Sequence, residues 1–145
     1  MSLIVQKYGG KSVADADRIR NVAARIARGR DEGNKMVVVV SAMGDTTDKL
    51  ISLAHQLVER PAERELDVLM STGEIVSSTL LAMTLEGMGY GAVSLTGFQA
   101  GIHTDSRYSK ALITSIDPQR IRDELKRGNA VVVAGLPDEQ LMLKP

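Results

Sequence analysis

The stretch that decides the fold reads MVVVV at residues 36–40 and SAMGDTTD at residues 41–48. Four consecutive valines with no polar alternation are typical of a strand that is covered on both faces, as in a parallel sheet. The polar residues that follow place hydroxyls and a glycine where the strand ends and a helix is expected to begin. The first prediction is therefore a parallel sheet with a ligand site at this end of its strands.

Strand and helix patterns alternate on both sides of this stretch. Strands are expected at residues 3–7, 36–40, 92–95 and 130–134, with residues 111–116 forming either a strand or a helix. Helices are expected at residues 15–30, 50–58, 62–86 and 118–128. Gly73 is expected to break the third of these helices. The alternation predicts an α/β fold, with a mostly parallel, open sheet and helices on both faces.

The composition excludes several classes of protein. The 145 residues contain 18 basic and 18 acidic side chains, which argues against a nucleic-acid-binding protein because these usually have a basic excess. No cysteine is present, so a disulfide scaffold, a thiolate metal site and a cysteine nucleophile are excluded. No apolar run approaches the roughly 20 residues of a membrane span, and the two histidines have no carboxylate at ligand spacing. These observations predict a cytoplasmic protein without a membrane segment or a metal site.

The end of the first strand offers a candidate phosphate site. Lys7 is followed by Gly9 and Gly10, and adjacent glycines allow backbone N–H groups to approach a phosphate closely. A lysine at the strand end adds a mobile positive charge. The alternative is an ordinary Gly-Gly turn beside a surface lysine. The sequence matches neither GxxxxGK[ST] nor GxGxxG, so a standard nucleotide-binding loop is disfavoured.

Three further segments each have a functional and a structural interpretation. Ser41, Thr46 and Thr47 could hold a small anion or carboxylate at a helix N-terminus, or a threonine could simply cap that helix. Glu74 closes the sequence STGE at residues 71–74, which matches a helix capping box. The same carboxylate would also suit a substrate ammonium group. The glycine loop at residues 96–101 is equally open to either interpretation.

Four segments, taken in order, resemble one protein family. They read VQKYGG at residues 5–10, VSAMGDTTD at residues 40–48, STGE at residues 71–74 and LTGFQAGI at residues 95–102. Together they are similar to the N-terminal part of bacterial aspartate kinases, in the amino acid kinase superfamily. The resemblance extends almost continuously from Leu3 to Gly135. Each motif alone is only weakly specific, whereas all four in the same order make the resemblance highly specific.

The resemblance implies an activity and a set of binding residues. Aspartate kinases transfer the γ-phosphoryl group of Mg-ATP to the side-chain carboxylate of L-aspartate, in lysine, threonine and methionine biosynthesis. ATP and Mg²⁺ are expected to bind together as substrate, without a metal site on the protein. The implied phosphate-binding residues, with Lys7 as the catalytic residue that neutralises charge, are Lys7, Gly9, Gly10 and Ser12. The implied aspartate-binding residues, with Glu74 on the amino group, are Ser41, Thr46, Thr47 and Glu74.

Two features depart from the family pattern. Lys11 stands where the family usually has threonine, next to the expected phosphate site. Family members also continue after VVVAG with a glycine loop and later a GRGGSD motif, whereas residues 136–145 read LPDEQLMLKP. We therefore divide the chain into the N-terminal, substrate-side part of an amino acid kinase domain at residues 1–135 and an atypical tail at residues 136–145. We expect this chain to be incomplete, and weak or inactive alone.

Two other functions stay open. The chain could be another amino acid kinase that acts on a different carboxylate or carbamate, although residues 41–48 most resemble aspartate kinases. It could instead be a non-catalytic module that assembles with a missing half or with itself, because we expect the strand ending at Ala134 to be an unpaired edge. The expected partners are L-aspartate, ATP and further copies of the chain, with no nucleic acid and no membrane.

Overall fold

The computed structural model describes residues 2–105 and 113–135. The helices and strands, in chain order, are β1 (Leu3–Tyr8), α1 (Ala16–Asp31), β2 (Lys35–Val40), α2 (Thr46–Leu57), α3 (Glu63–Gly87), β3 (Ala92–Leu95), β4 (Ile102–Thr104), β5 (Ile113–Ile116), α4 (Gln119–Lys126) and β6 (Ala130–Ala134). A 3₁₀ turn at Gly10–Val13 separates β1 from α1. The strands predicted at residues 3–7, 36–40, 92–95 and 130–134 and the four predicted helices are confirmed, while β4 was not predicted. Of the segment predicted as strand or helix, residues 113–116 form a strand and residues 111–112 lie outside the described residues. The predicted tail at residues 136–145 lies outside the described residues.

Four strands form one parallel sheet in the order β1-β2-β6-β3. In the register of the sheet, Val40 at the end of β2 lies between Tyr8 of β1 and Ala134 of β6. Because these strands end level with one another, the segments after Tyr8, Val40 and Ala134 all begin at the same end of the sheet, beyond the carboxyl ends of its strands. The separate β4–β5 ribbon is antiparallel, so the fold is mostly parallel, as predicted.

Each face of the sheet is covered by helices. On one face, α1 and α3 bury apolar side chains such as Ile26 and Leu81 against even-numbered residues of β2. On the other face, α4 buries Leu125 against Val37, Val131 and Val133. This two-sided burial explains the unbroken valine runs, because all side chains of β6 and most of those of β2 are buried. The prediction of helices on both faces is therefore confirmed.

The helix α3 is continuous across Gly73, so the predicted break is wrong. Gly73 is buried against the loop after β2, where an added Cβ would lie 2.9 Å from the Cβ of Ala42. The glycine therefore serves close packing and does not interrupt the helix. By length and composition, α3 passes a test for membrane-spanning helices that core helices of other proteins also pass, which is weak evidence for a membrane span. Its Leu81 and Leu85 side chains are buried in the core beside the sheet.

The edges of the sheet are β1 and β3, so the expected unpaired edge at Ala134 is wrong. β6 inserts between β2 and β3, and both of its neighbours hydrogen-bond to it. At the β1 edge, the side chains of Leu3 and Val5 are 59% and 65% exposed. The sequence could not show this arrangement, because strand patterns give no information about which strands pair.

Candidate functional site

The loop after β1 brings its backbone close to the loop after β2. Gly10 accepts a hydrogen bond from the Gly44 N–H at 2.9 Å, and a Cβ at Gly10 would lie 2.9 Å from the carbonyl oxygen of Ala42. Only glycine fits this contact without displacing one of the loops. Gly9, by contrast, is exposed, and a Cβ there would meet no heavy atom within 4 Å. Of the two glycines, Gly10 therefore joins the loops and Gly9 borders open space.

The remaining residues predicted to bind phosphate lie around Gly9. Lys7 is exposed near the end of β1. Ser12 is exposed on the 3₁₀ turn, and its N–H donates to the carbonyl oxygen of Gly9 at 3.0 Å. Lys11, which stands at the position of the family threonine, is exposed beside it. The chain thus presents two lysines and a serine hydroxyl around an accessible glycine backbone, which is an arrangement suited to an anion.

The loop after β2 delivers Ser41, Thr46 and Thr47 to the neighbouring position. The Ser41 N–H donates to the carbonyl oxygen of Tyr8 at 3.1 Å, which extends the pairing of β1 with β2 by one bond. Thr46 is the first residue of α2, and Asp45 occupies the cap position without making a side-chain cap bond. Neither threonine caps the helix, so that interpretation is wrong. Both threonines are half-buried at the N-terminus of α2, which favours negative charge.

Glu74 lies on α3 next to Gly73, where the helix packs against this loop. It does not belong to a capping box, because α3 begins at Glu63 and Ser71 donates to the carbonyl oxygen of Val68 within the helix. Glu74 is only 8% exposed, and none of the described lysines or arginines forms an ion pair with it. Burial raises the pKa of this carboxyl to about 7. A cationic ligand would stabilise the charged form of this buried carboxyl, so the position suits an ammonium group.

Two residues that the sequence did not single out as functional join α3 to the loop. The Ser77 hydroxyl donates to the carbonyl oxygen of Ser41 at 2.6 Å. An added Cβ at Gly73 would lie 3.4 Å from Cγ2 of Thr46, so the helix and the loop are in contact there as well. Helical spacing could have indicated Ser77, because it lies three residues after Glu74 and four before the buried Leu81.

The glycine loop after β3 is not part of this cluster. β6 lies between β2 and β3, which places the loop two strand positions away from the end of β2. Thr96 and Gln99 close the loop on itself, since each backbone N–H donates to the side-chain oxygen of the other. Phe98 at its tip is 79% exposed. The described residues also contain no group of three or more histidine or acidic side chains that could hold a metal.

Comparison with known proteins identifies the family of the chain. The sequence profile of the amino acid kinase family matches residues 2–142. The chain belongs to the amino acid kinase family. Within it, the aspartokinase of Mycolicibacterium smegmatis is 53% identical over 135 residues, which are 93% of this chain and 32% of that protein. The aspartokinase of Geobacillus stearothermophilus is 54% identical over 93% of this chain and 33% of its own length.

Solved structures of the amino acid kinase family share the fold. The aspartate kinase of Synechocystis superposes with a TM-score of 0.75 at 44% identity, covering 98% of this chain and 23% of the larger one. Aspartokinase III of E. coli, in complex with aspartate and ADP, gives a TM-score of 0.76 at 18% identity, over 92% of this chain and 40% of its own. The chain thus spans about a third of the length of the curated relatives it matches.

Proposed function

We propose that this chain forms the amino-acid-binding part of an aspartate kinase. The observation that supports the proposal best is Glu74, a buried carboxylate with no cation beside it among the described residues, next to the loop that contains Ser41. An α-amino acid supplies the cation that Glu74 lacks. It also supplies a carboxylate, which fits the hydroxyls of Ser41, Thr46 and Thr47 at the N-terminus of α2.

The phosphate side of the reaction is assigned to the loop after β1. Lys7 neutralises charge on the transferred phosphoryl group, while the backbone at Gly9 and Gly10 and the Ser12 side chain contact the phosphates of ATP. In the transfer, an oxygen of the substrate carboxylate bonds to the γ-phosphorus as the bond from that phosphorus to the β–γ bridging oxygen breaks. Such a step depends on positioning and on charge neutralisation, and it needs no nucleophile from the protein. Mg²⁺ enters with ATP as part of the substrate.

The whole reaction requires more than these residues. The curated relatives are about three times as long as this chain, and the resemblance places an arginine, a serine and an aspartate of their substrate site in the later GRGGSD motif. We therefore propose that the chain binds L-aspartate weakly and gives little or no turnover alone. We propose that the reaction belongs to lysine, threonine and methionine biosynthesis and takes place in the cytoplasm.

A fusion enzyme tests the assignment. Residues 1–135 are joined to the part of the Geobacillus stearothermophilus aspartokinase that follows its matched third, and activity is measured with ATP, Mg²⁺, L-aspartate and hydroxylamine. The fusion is expected to form aspartyl hydroxamate, whereas the Glu74→Gln fusion should lose at least about 30-fold in kcat/KM, since a buried charge partner is removed. Succinate, which lacks the ammonium group, serves as the substrate control. A fusion that prefers another amino acid or a carbamate would identify a different amino acid kinase.

An assembly role is the second candidate, and exposed apolar surface favours it. On α2 and α3, Leu57, Val76 and Met83 are exposed, and they offer a surface for a second copy of the chain. At β1, Leu3 and Val5 offer an open edge for a missing half. Light scattering after size-exclusion chromatography measures self-association, and a monomer at all concentrations would contradict it. Activity restored by adding the missing part as a separate chain would support pairing at β1.

A further inference from the structure

One hydroxyl on α3 behaves differently from the others. The serine and threonine hydroxyls of this helix belong to Ser71, Thr72, Ser77, Ser78, Thr79 and Thr84. Within the described part of the chain, all except Ser77 donate only to carbonyl oxygens of α3 itself. Ser77 is fully buried, and its hydroxyl lies within hydrogen-bond distance of two carbonyl oxygens. The longer distance, 3.1 Å, is to Glu74 within the helix. The shorter, 2.6 Å, is to Ser41 in the loop after β2. A bond of this kind fixes a loop rather than a helix.

The same face of α3 contacts the loop a second time, one turn earlier. At Gly73 the absence of a side chain lets the helix approach Ala42 and Thr46, and an added Cβ would lie 2.9 Å and 3.4 Å from their side-chain atoms. Ser77 therefore contacts the start of the loop at residues 41–46, and Gly73 packs against both its start and its end. Glu74 lies between the two contacts on the same helix.

We propose that Ser77 is a positioning residue that sets the distance between the Glu74 carboxylate and the loop hydroxyls. The inference rests on the proposed function, in which these groups hold opposite ends of one amino acid. The ammonium and carboxylate of an α-amino acid are separated by a fixed distance, so the two halves of the site must be held in register. Ser77 provides that register through a single buried bond to the residue that begins the loop.

Ser78 offers a matched control for this proposal. It is the adjacent serine, it is equally buried, and its hydroxyl donates to the carbonyl oxygen of Ile75 within α3 at 3.1 Å. Alanine at either position removes one buried hydroxyl, so the two variants are expected to lose similar amounts of global stability. A difference between them in the loop or in ligand binding then reports the bond to Ser41 specifically.

Two measurements on the full chain test the proposal. Amide hydrogen exchange at Gly44 and Thr46 reports loop order without a ligand, and chemical shift titration with L-aspartate reports affinity. In Ser77→Ala, we expect at least fivefold faster exchange at both amides and about tenfold weaker binding, the loss that one such hydrogen bond supplies. In Ser78→Ala, both quantities should stay within twofold of those of the unaltered chain.

The outcomes separate this inference from the proposed function. Equal effects of the two variants on exchange and on binding would overturn the positioning role of Ser77. If the unaltered chain does not bind L-aspartate, the proposed function fails, and the exchange data alone then decide the inference. Faster exchange at Gly44 and Thr46 in Ser77→Ala only would still uphold the positioning of the loop, and equal exchange in both variants would refute it.

Discussion

Strands β2 and β3 lie on either side of β6 in the sheet. The loops that follow them both contain glycine and hydroxyl residues. The first is bonded to β1, to the 3₁₀ turn and to α3, so residues distant in the sequence converge on it. In the second, Thr96 and Gln99 bond to each other, Phe98 is mostly exposed beside the ring of His103, and Gly101 accepts a hydrogen bond from the Asp117 N–H before α4. Glycine content therefore does not identify a site. Contacts that bring predicted binding residues from separate elements together do.

The largest expected effect tests the tight contact between the loops after β1 and β2. In Gly10→Ala, the new methyl group would press on the backbone carbonyl oxygens of Ala42 and Gly44, so we expect a loss of about 2–3 kcal/mol in the free energy of unfolding. Gly9→Ala, at the neighbouring residue with open space around it, should change stability by less than about 0.5 kcal/mol. Urea denaturation of both variants measures the difference, and similar losses would contradict the proposed contact.

The second effect concerns pH and the buried carboxyl of the site. The pKa of Glu74 is about 7 in the folded chain and near 4.5 when the chain is unfolded, so the folded state binds more protons between these values. Stability should therefore fall as pH rises from about 4.5 to 7 and level off above it, by about 1–2 kcal/mol after allowance for solvent screening. Glu74→Gln should remove this slope.

Thermal unfolding across that pH range compares the two chains. The difference in Tm between the unaltered chain and Glu74→Gln is expected to grow toward neutral pH, because the buried Glu74 carboxyl loses its proton there whereas glutamine is neutral at every pH. A constant difference would show that Glu74 is solvated or paired in solution. No comparable slope is expected from the loop after β3, since residues 96–101 include no acidic or basic side chain.

The smallest expected effect comes from a substitution in the loop after β3. Phe98→Ala in the loop after β3 removes a ring that is mostly in solvent, so we expect a stability change within about 0.5 kcal/mol. Binding of L-aspartate should not change, because the loop lies two strand positions from the proposed site. A titration of this variant beside the unaltered chain checks the point. Weaker binding would show that the loop after β3 belongs to the ligand site, as the loop after β2 is proposed to do.

The sequence allowed the elements to be predicted well and their arrangement less well. The valine runs of β2 and β6 indicated buried strands because two-sided burial demands unbroken apolar residues. The position of β6 between β2 and β3 could not be predicted, since pairing depends on contacts between distant residues. The STGE segment satisfied a local capping rule, yet it lies inside α3 because packing against the sheet extends the helix through it.

The site was predictable in its residues but not in its connections. Ser41, Thr46 and Glu74 stood out because their chemistry suits an amino acid and because the resemblance placed them in family motifs. Ser77 did not stand out, since its hydroxyl looks like any other on a serine-rich helix until the bond to Ser41 is seen. Gly73 was noticed for the wrong reason. Its lack of a side chain matters for the approach of another loop and not for the helix itself.

The insertion of β6 into the sheet has a consequence for synthesis on the ribosome. When residues up to 95 have left the exit tunnel, β1 and β2 can already pair, but β3 has no neighbouring strand in the native sheet. Its partner is β6 at residues 130–134, the last strand in the described part of the chain. A nascent chain must therefore keep β3 and the apolar face of α3 from wrong contacts until that segment emerges. A stop codon shortly before residue 130 would leave β3 without its neighbouring strand and would leave β1 and β2 as the remaining pair of this sheet.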